Sequence, residues 1–308
     1  MEKTFDVGGL NLDLPIILGA GVCKMPEQVL AYQGDVPVGA VVSGSYTMIP
    51  REGNSGVLFW PEHVDNPNEL LICLNSYGMP NCGFHEAYVR FQKIKDQLTK
   101  PLIVSIAGFS PDDYKQGVAF FQGARATAVE LNFGCPNTEE GGRIMSFDLK
   151  NMERTFRLVR EALEASQRIP IWVKFSPYSD PYQLAEVASI VMDYKDTVDA
   201  VVTSNTFPNA VMRNGKGKVT TPNKGRAGLS GTSLKAITLG QVEQFHELLN
   251  QEIDIIGVGG ITNGQDVIDL LESGAKSVQL VSLPFCCGGA RALQNLLLES
   301  EALQEYCS

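Results

Sequence analysis

Ala128-Val129-Glu130-Leu131 and Ile171-Trp172-Val173-Lys174-Phe175 are two short, mostly apolar runs. Between them, Asn151 to Ser166 carries Met152, Phe156, Val159 and Leu163 at helical spacing. The pattern predicts strand, helix, strand, and it continues in both directions along the chain. Further strands are predicted at Pro15–Leu18, Ala40–Ser43, Leu102–Ile106, Ala200–Thr203, Ile255–Val258 and Ser277–Val281. Leu184 to Tyr194 and Val267 to Glu272 read as further amphipathic helices. Eight strands alternating with helices, without a break in composition, predict an α/β fold: a single (β/α)8 TIM barrel spanning residues 1–308 as one domain. The rival architecture is a doubly wound sheet. It puts a three-glycine fingerprint after its first strand, and Gly19-Ala20-Gly21-Val22-Cys23-Lys24 lacks the third glycine.

Bulk properties narrow the function. The 308 residues are 44% hydrophobic, enough for a sizeable core. The formal charge of −10, with no basic run, argues against nucleic acid as a partner. Met1 to Gly8 is polar and mixed, unlike a secretion signal. The longest apolar runs, such as Leu14 to Leu18, are too short to span a bilayer, so no membrane role is expected. The cysteines are Cys23, Cys73, Cys82, Cys135, Cys286, Cys287 and Cys307. Their odd number argues against a disulfide framework, and a reducing cytoplasm is the expected location. No cysteine or histidine spacing suits zinc or an iron–sulfur cluster, so no metal is expected.

Two polar segments are long for ordinary connections. Pro50 to Ala87 follows the second predicted strand. Asn205 to Leu229 follows the sixth and carries Arg213, Lys216, Lys218, Lys224 and Arg226. Insertions after barrel strands sit on the catalytic face, so both are candidate active-site loops, with a solvated basic loop as the alternative for the second.

The most informative residues for chemistry are Glu130-Leu131-Asn132-Phe133-Gly134-Cys135-Pro136-Asn137, at the end of the fourth predicted strand. Asparagine offers both a donor and an acceptor, which suits the amide edge of a planar heterocycle. Cysteine serves as a general base where its surroundings favour the thiolate, although a lone cysteine is more often a buried small hydrophobe.

Asn132-x-x-Cys135-Pro136-Asn137 resembles the active-site loop of the class 1 dihydroorotate dehydrogenases, close to class 1A. Other segments are similar to the family in order and spacing. They are Arg51-Glu52-Gly53-Asn54, Asn75-Ser76-Tyr77-Gly78-Met79-Pro80-Asn81, Val173-Lys174-Phe175-Ser176-Pro177-Tyr178, Asn205-Thr206, Gly228-Leu229-Ser230-Gly231 and Gly257-Val258-Gly259-Gly260. The resemblance runs from the first strand to the last. It implies an FMN-dependent oxidoreductase of pyrimidine biosynthesis, interconverting dihydroorotate and orotate, with Cys135 as catalytic base. It implies substrate contacts from Asn75, Tyr77, Gly78, Met79, Asn132, Asn137, Asn205 and Thr206. It implies FMN contacts from Ala20, Gly21, Gly44, Ser45, Asn75, Asn132, Lys174, Ser204, Gly231, Gly259, Gly260, Val281 and Ser282. A soluble electron acceptor and a homodimer are implied in the same way.

The chain departs from the family pattern twice. The lysine that the family carries after strand two falls on Gly44, with no lysine nearby along the chain, and the family's Gly-Thr phosphate contact falls on Val281-Ser282. The first departure removes a cation from a site for an anionic ring acid. It makes a flavoenzyme acting on another cyclic amide or enone the second hypothesis, with Gly44→Lys expected to restore tight orotate binding. A non-catalytic flavin-binding protein is a third hypothesis, and a barrel isomerase or aldolase a fourth.

Overall fold

A computed structural model describes residues 3–63, 70–124, 126–135, 144–165 and 167–308. Eight parallel strands close a barrel: β1 (Ile16–Cys23), β2 (Ala40–Tyr46), β3 (Leu102–Ile106), β4 (Ala128–Asn132), β5 (Ile171–Lys174), β6 (Ala200–Val202), β7 (Asp254–Val258) and β8 (Ser277–Leu280). Each strand pairs with its neighbour in sequence, and β8 closes on β1. All eight coincide with the predicted runs to within a few residues. The predicted helices are Leu149–Glu164, Pro181–Asp193 and Gly264–Glu272. Their N-termini are capped by the side chains of Asp148, Asp180 and Asn263, which satisfy amides that have no partner inside the helix.

The period of two along a strand explains the barrel's composition. Ile16, Leu18, Val129, Leu131, Ile171 and Val173 face outward and join the core beneath the helices. Ile17, Ala40, Val42, Ile103, Ala128, Trp172, Ala200, Val202 and Ile256 face inward and form a second apolar cluster. Above that cluster the inward positions turn polar. Ala128 is followed two residues on by Glu130 and then Asn132. Trp172 is followed by Lys174, and Ile103 by Ser105. All four polar residues are buried.

The barrel floor is closed by an element that the sequence reading missed. Phe5–Val7 and Leu10–Leu12 form an antiparallel hairpin whose Phe5, Val7, Leu10 and Leu12 join the inward cluster. Gly8 at its tip has φ +53, and a β-carbon there would lie 2.3 Å from the Trp172 indole nitrogen. That nitrogen donates to the Gly8 carbonyl at 2.9 Å, and Gly8 N donates to Asp254 Oδ2 at 2.8 Å. The polar edge of the indole is thereby satisfied inside the core.

The two long segments are not plain loops. Phe59–His63 and Leu70–Asn75 from the first pair with Phe207–Ala210 and Ala227–Ser230 from the second, giving a four-stranded antiparallel sheet. Cross-pairing of Leu74 with Leu229 and the small cluster of Leu74, Val219 and Ala227 give this sheet its own apolar contacts.

Trp172 is fully buried against both the barrel interior and the hairpin. Trp172→Ala is expected to lower folding stability by about 3–5 kcal/mol, the usual cost of emptying an aromatic core site. Urea unfolding followed by circular dichroism measures it. A loss below about 1 kcal/mol would mean that the hairpin does not depend on the indole.

Candidate active site

A cavity of about 1310 Å³, counted out to its open mouth, lies at the C-terminal ends of the strands. It is lined from every quarter of the barrel: Ala20 and Gly21 from β1, Gly44 and Ser45 from β2, Asn132 and Cys135 from β4 and its loop, and Lys174 from β5. Ser204, Asn205 and Thr206 follow β6, Gly259 and Gly260 follow β7, and Val281 and Ser282 follow β8. Asn75, Tyr77, Gly78, Met79, Ser230 and Gly231 come from the four-stranded sheet and its edges. Every site residue expected from the sequence lines this one cavity except Asn137, which lies outside the described residues.

The segment Arg51-Glu52-Gly53-Asn54 braces the loop that carries Asn75. Asn54 N donates to the Tyr77 carbonyl at 2.8 Å, Asn54 Nδ2 to Ser76 O at 3.0 Å, and Arg51 Nε to Gly78 O at 3.3 Å. The approach is close enough that a β-carbon on Gly78 would lie 2.4 Å from Asn54 Oδ1. Buried Asn81 ties the loop to the end of β2. It accepts from Thr47 N and Gly83 N, and its amide donates to Thr47 Oγ1 and Met79 O. These two motifs hold Tyr77, Gly78 and Met79 at the cavity edge.

Beneath the cavity runs an unbroken chain of hydrogen bonds. Asn205 Nδ2 donates to Asn132 Oδ1 at 2.9 Å, and Asn132 Nδ2 to Ser45 Oγ at 2.8 Å. Ser45 and Ser105 hydroxyls meet at 2.8 Å, and Ser105 donates to Glu130 Oε1 at 3.0 Å. Gln279 Nε2 donates to the other Glu130 oxygen at 2.7 Å, and Lys174 Nζ donates to Gln279 Oε1 at 3.1 Å. Burial pulls the Lys174 ammonium below the usual lysine range, and the Glu130 carboxylate opposes that shift. Glu130 and Gln279 were not read from the sequence as site residues. For Glu130 the signal was present: a polar side chain two residues after the apolar, inward-facing Ala128.

Sequence reading also missed Lys24. It follows β1, is half-buried and lines the same cavity as Gly44. Its Nζ stands 3.5 Å from the Tyr77 ring centroid and 5.5 Å from that of Phe285. Among the described residues no carboxylate pairs with it, and burial lowers its pKa from the ordinary lysine value. Gly44 cannot carry the missing side chain in this backbone. Its φ is +113, and a β-carbon would lie 2.5 Å from the Ser105 carbonyl oxygen. The expectation that Gly44→Lys restores a cation is therefore corrected. The substitution collides with β3, and the site already holds a cation reached from β1.

Another part of the cavity wall suits a phosphate. Gly231, Gly259 and Gly260 have φ of +94, +121 and +78. β-carbons on Gly259 and Gly260 would lie 2.5 Å from Thr238 Oγ1 and 2.4 Å from Lys235 Cα. Only glycine leaves these amides open, and Ser282 Oγ and Ser230 Oγ pair at 2.9 Å beside them. One cavity thus joins an anion cradle, the buried Lys174, the half-buried Lys24 and several amide side chains, which fits a phosphorylated heterocyclic cofactor such as FMN.

Residues 3–294 match the family model described as dihydroorotate dehydrogenase. The chain belongs to the dihydroorotate dehydrogenase family. It is 31% identical over 286 residues to dihydroorotate dehydrogenase A (fumarate) of Limosilactobacillus reuteri (strain DSM 20016), covering 91% of this chain and 86% of that one. It is 33% identical over 247 residues to the catalytic subunit of dihydroorotate dehydrogenase B (NAD(+)) of Methanopyrus kandleri, covering 79% and 73%. Its fold is similar to that of the dihydroorotate dehydrogenase of Eimeria tenella solved with ferulenol, with TM-score 0.74 and 19% identity over 96% of this chain and 83% of that one. As a member of this family, the chain is an FMN-dependent oxidoreductase acting on CH–CH donors. No helix among the described residues is long and apolar enough to cross a membrane.

Removing the anion from the floor of this site leaves Lys174 desolvated without its counter-charge. Glu130→Ala is expected to cost about 3–5 kcal/mol at neutral pH. The deficit should shrink at alkaline pH. With its folded pKa lowered further, Lys174 binds fewer protons in the folded state than in the unfolded one, so stability rises with pH. Urea unfolding at several pH values tests this, and a deficit that grows with pH contradicts it.

Proposed function

We propose that this chain oxidises dihydroorotate to orotate in pyrimidine biosynthesis, with Cys135 as the base. The observation that carries this is the convergence of Cys135, Asn75, Asn132, Asn205 and the half-buried Lys24 on one cavity with the glycine cradle. When bound, FMN supplies the two-electron acceptor. Its phosphate would lie against Gly231, Gly259, Gly260, Val281 and Ser282, and its ring against Ala20, Gly21, Gly44, Ser45, Ser204 and Lys174. Asn75 and Asn132 would serve both cofactor and substrate.

Each remaining role follows from the chemistry of the residue. Lys24 holds the ring carboxylate, assisted by the backbone amides of Tyr77, Gly78 and Met79. Asn75, Asn132 and Asn205, with Asn137 and Thr206, pair with the amide edges of the pyrimidine. Asn205 holds Asn132 by a direct hydrogen bond, so two of these amides are oriented before substrate arrives. Cys135 takes the proton from the ring carbon that becomes unsaturated. The same proposal takes residues 1–308 as one domain, cytoplasmic and homodimeric, passing electrons to a soluble acceptor. A substrate without the carboxylate was favoured by the loss of a cation at Gly44, and Lys24 removes that motive. A cysteine and oriented amides on the cavity wall weigh against a purely flavin-binding role.

Anaerobic titration of the purified protein with dihydroorotate, followed by flavin absorbance, tests the proposal. Stoichiometric bleaching is expected, and a flavin that stays oxidised overturns it. Lys24→Ala should weaken orotate binding about 10- to 100-fold, the effect of losing a charge-assisted contact of about 1.5–3 kcal/mol. In the native protein, orotate affinity should fall as pH rises through the lowered Lys24 pKa, earlier than an ordinary lysine would allow. Absorbance titrations between pH 7 and about 11 read both effects, reaching past the ordinary lysine pKa of about 10.4. A flat profile removes Lys24 from the anion site.

Cys135→Ser should retain FMN while the reductive half-reaction slows by about 10²–10⁴-fold, the usual contribution of general base catalysis. Stopped-flow absorbance gives the rate, and an unchanged rate in Cys135→Ala excludes the thiol from proton transfer.

A further inference from the structure

Two chain segments build the glycine cradle, and they cross each other. One runs from Gly231 through the turn Thr232–Leu234 into the helix Lys235–Leu249. The other runs from Gly259 and Gly260 through Ile261 and Thr262 into the helix Gly264–Glu272. At the crossing the two backbones touch. A β-carbon on Gly260 would lie 2.4 Å from Lys235 Cα and 2.5 Å from Lys235 N. Neither Lys235 nor Asp266 lines the cavity. Instead the Lys235 ammonium stands 2.6 Å from Asp266 Oδ1 and 2.7 Å from Asp269 Oδ2.

Asp266 is buried, and both of its oxygens are engaged. Oδ2 accepts from Thr262 N at 2.8 Å, Thr262 Oγ1 at 2.9 Å and Asn263 N at 3.2 Å, while Oδ1 faces Lys235. The Asp266 amide donates to Asn263 Oδ1 at 3.0 Å, which fixes its backbone at the helix start. One oxygen of this carboxylate therefore grips the turn that follows Gly259 and Gly260. The other grips the helix that follows Gly231.

We infer that Asp266 and Lys235 are positioning residues for the cofactor phosphate, their ion pair clamping the two halves of the cradle so that amides from both converge on one anion. The inference rests on reading the glycine cradle as the phosphate site. Glycine backbone is conformationally free, so a cradle made of it has to be fixed from outside. Charge-assisted hydrogen bonds to a buried carboxylate do this with defined geometry. A direct attraction between Lys235 and the phosphate predicts a different outcome. In that case neutralising Asp266 frees the ammonium and tightens FMN binding. In the clamp it separates the two segments and weakens binding, although an anion has been removed from the neighbourhood of a phosphate.

The test uses the full chain stripped of flavin, titrated with FMN and separately with riboflavin, which lacks the phosphate, with flavin fluorescence as the signal. Asp266→Asn keeps an acceptor for the Thr262 and Asn263 amides and removes the ion pair. It is expected to weaken FMN binding by at least about tenfold, equivalent to about 1.4 kcal/mol, and to leave riboflavin affinity unchanged. Lys235→Met, a change at a partly exposed side chain, is expected to do the same and decides the matter if Asp266→Asn fails to fold. Its deficit should persist in about 1 M salt, where the screening length is only about 3 Å. Unchanged or tighter FMN binding in Asp266→Asn overturns the inference. So does a Lys235→Met deficit that salt abolishes, or an equal loss of both flavins. A native protein that binds riboflavin as tightly as FMN overturns the phosphate reading of the cradle and the clamp together. A native preference for FMN that survives both substitutions removes the clamp alone.

Discussion

The buried link from Glu130 through Gln279 to Lys174 is the constraint around which the barrel is arranged. A cation and an anion inside a protein each cost several kcal/mol in lost hydration, recovered only when their hydrogen bonds are satisfied. Here one glutamine serves both. Its amide nitrogen reaches Glu130 and its oxygen receives Lys174. This requires β4, β5 and β8 to present their inward positions at one level, which fixes strand register across the barrel. Asn132 lies directly beside Lys174 in the ladder, and Glu130 beside Ser105. The register that satisfies the charges is therefore also the one that lifts Asn132 to the cavity floor.

Below that level the barrel interior is apolar. Trp172 fills the interior, and the N-terminal hairpin covers it. A closed floor excludes water from beneath the charged layer, so the field of Lys174 is directed upward into the cavity rather than screened. Fold and site are thus two consequences of one sequence pattern, in which strands run from apolar at the bottom to polar at the top.

Much of this was legible in the chain. The eight strands announced themselves as short apolar runs, since a strand buried on both faces has few polar positions. The two glycines after β7 were readable as a cradle only because barrels commonly bind phosphate after strands seven and eight and the family resemblance covers Gly257 to Gly260; their positive φ came with the fold. The four-stranded sheet was not legible. Its two halves are separated by more than a hundred residues, so only their pairing reveals the sheet. Gly8 and Phe5 gave no sign of closing the floor, because a two-residue turn between three-residue strands has no periodicity to read. Glu130 stands in the same stretch as Cys135, but its partner Gln279 is 149 residues away. Charge compensation at that range is invisible without the fold.

In the proposed function, Lys24 supplies from the end of β1 the cation that the family pattern carries after β2. The end of β2 and the end of β1 are neighbours in the barrel, with Cys23 paired to Ser43. A side chain just after either strand therefore reaches the same part of the cavity. At β2 the backbone turns through Gly44 with a conformation that leaves no room for a β-carbon. The long, flexible lysine stem after β1 has that room, and the face of Tyr77 steadies its ammonium. Since Tyr77 belongs to the loop braced by Asn54, Arg51 and Asn81, the cation's position is set by contacts that also place the neighbouring backbone amides. A charge is specified here by where it sits in space, and alignment of one strand end alone misread its loss.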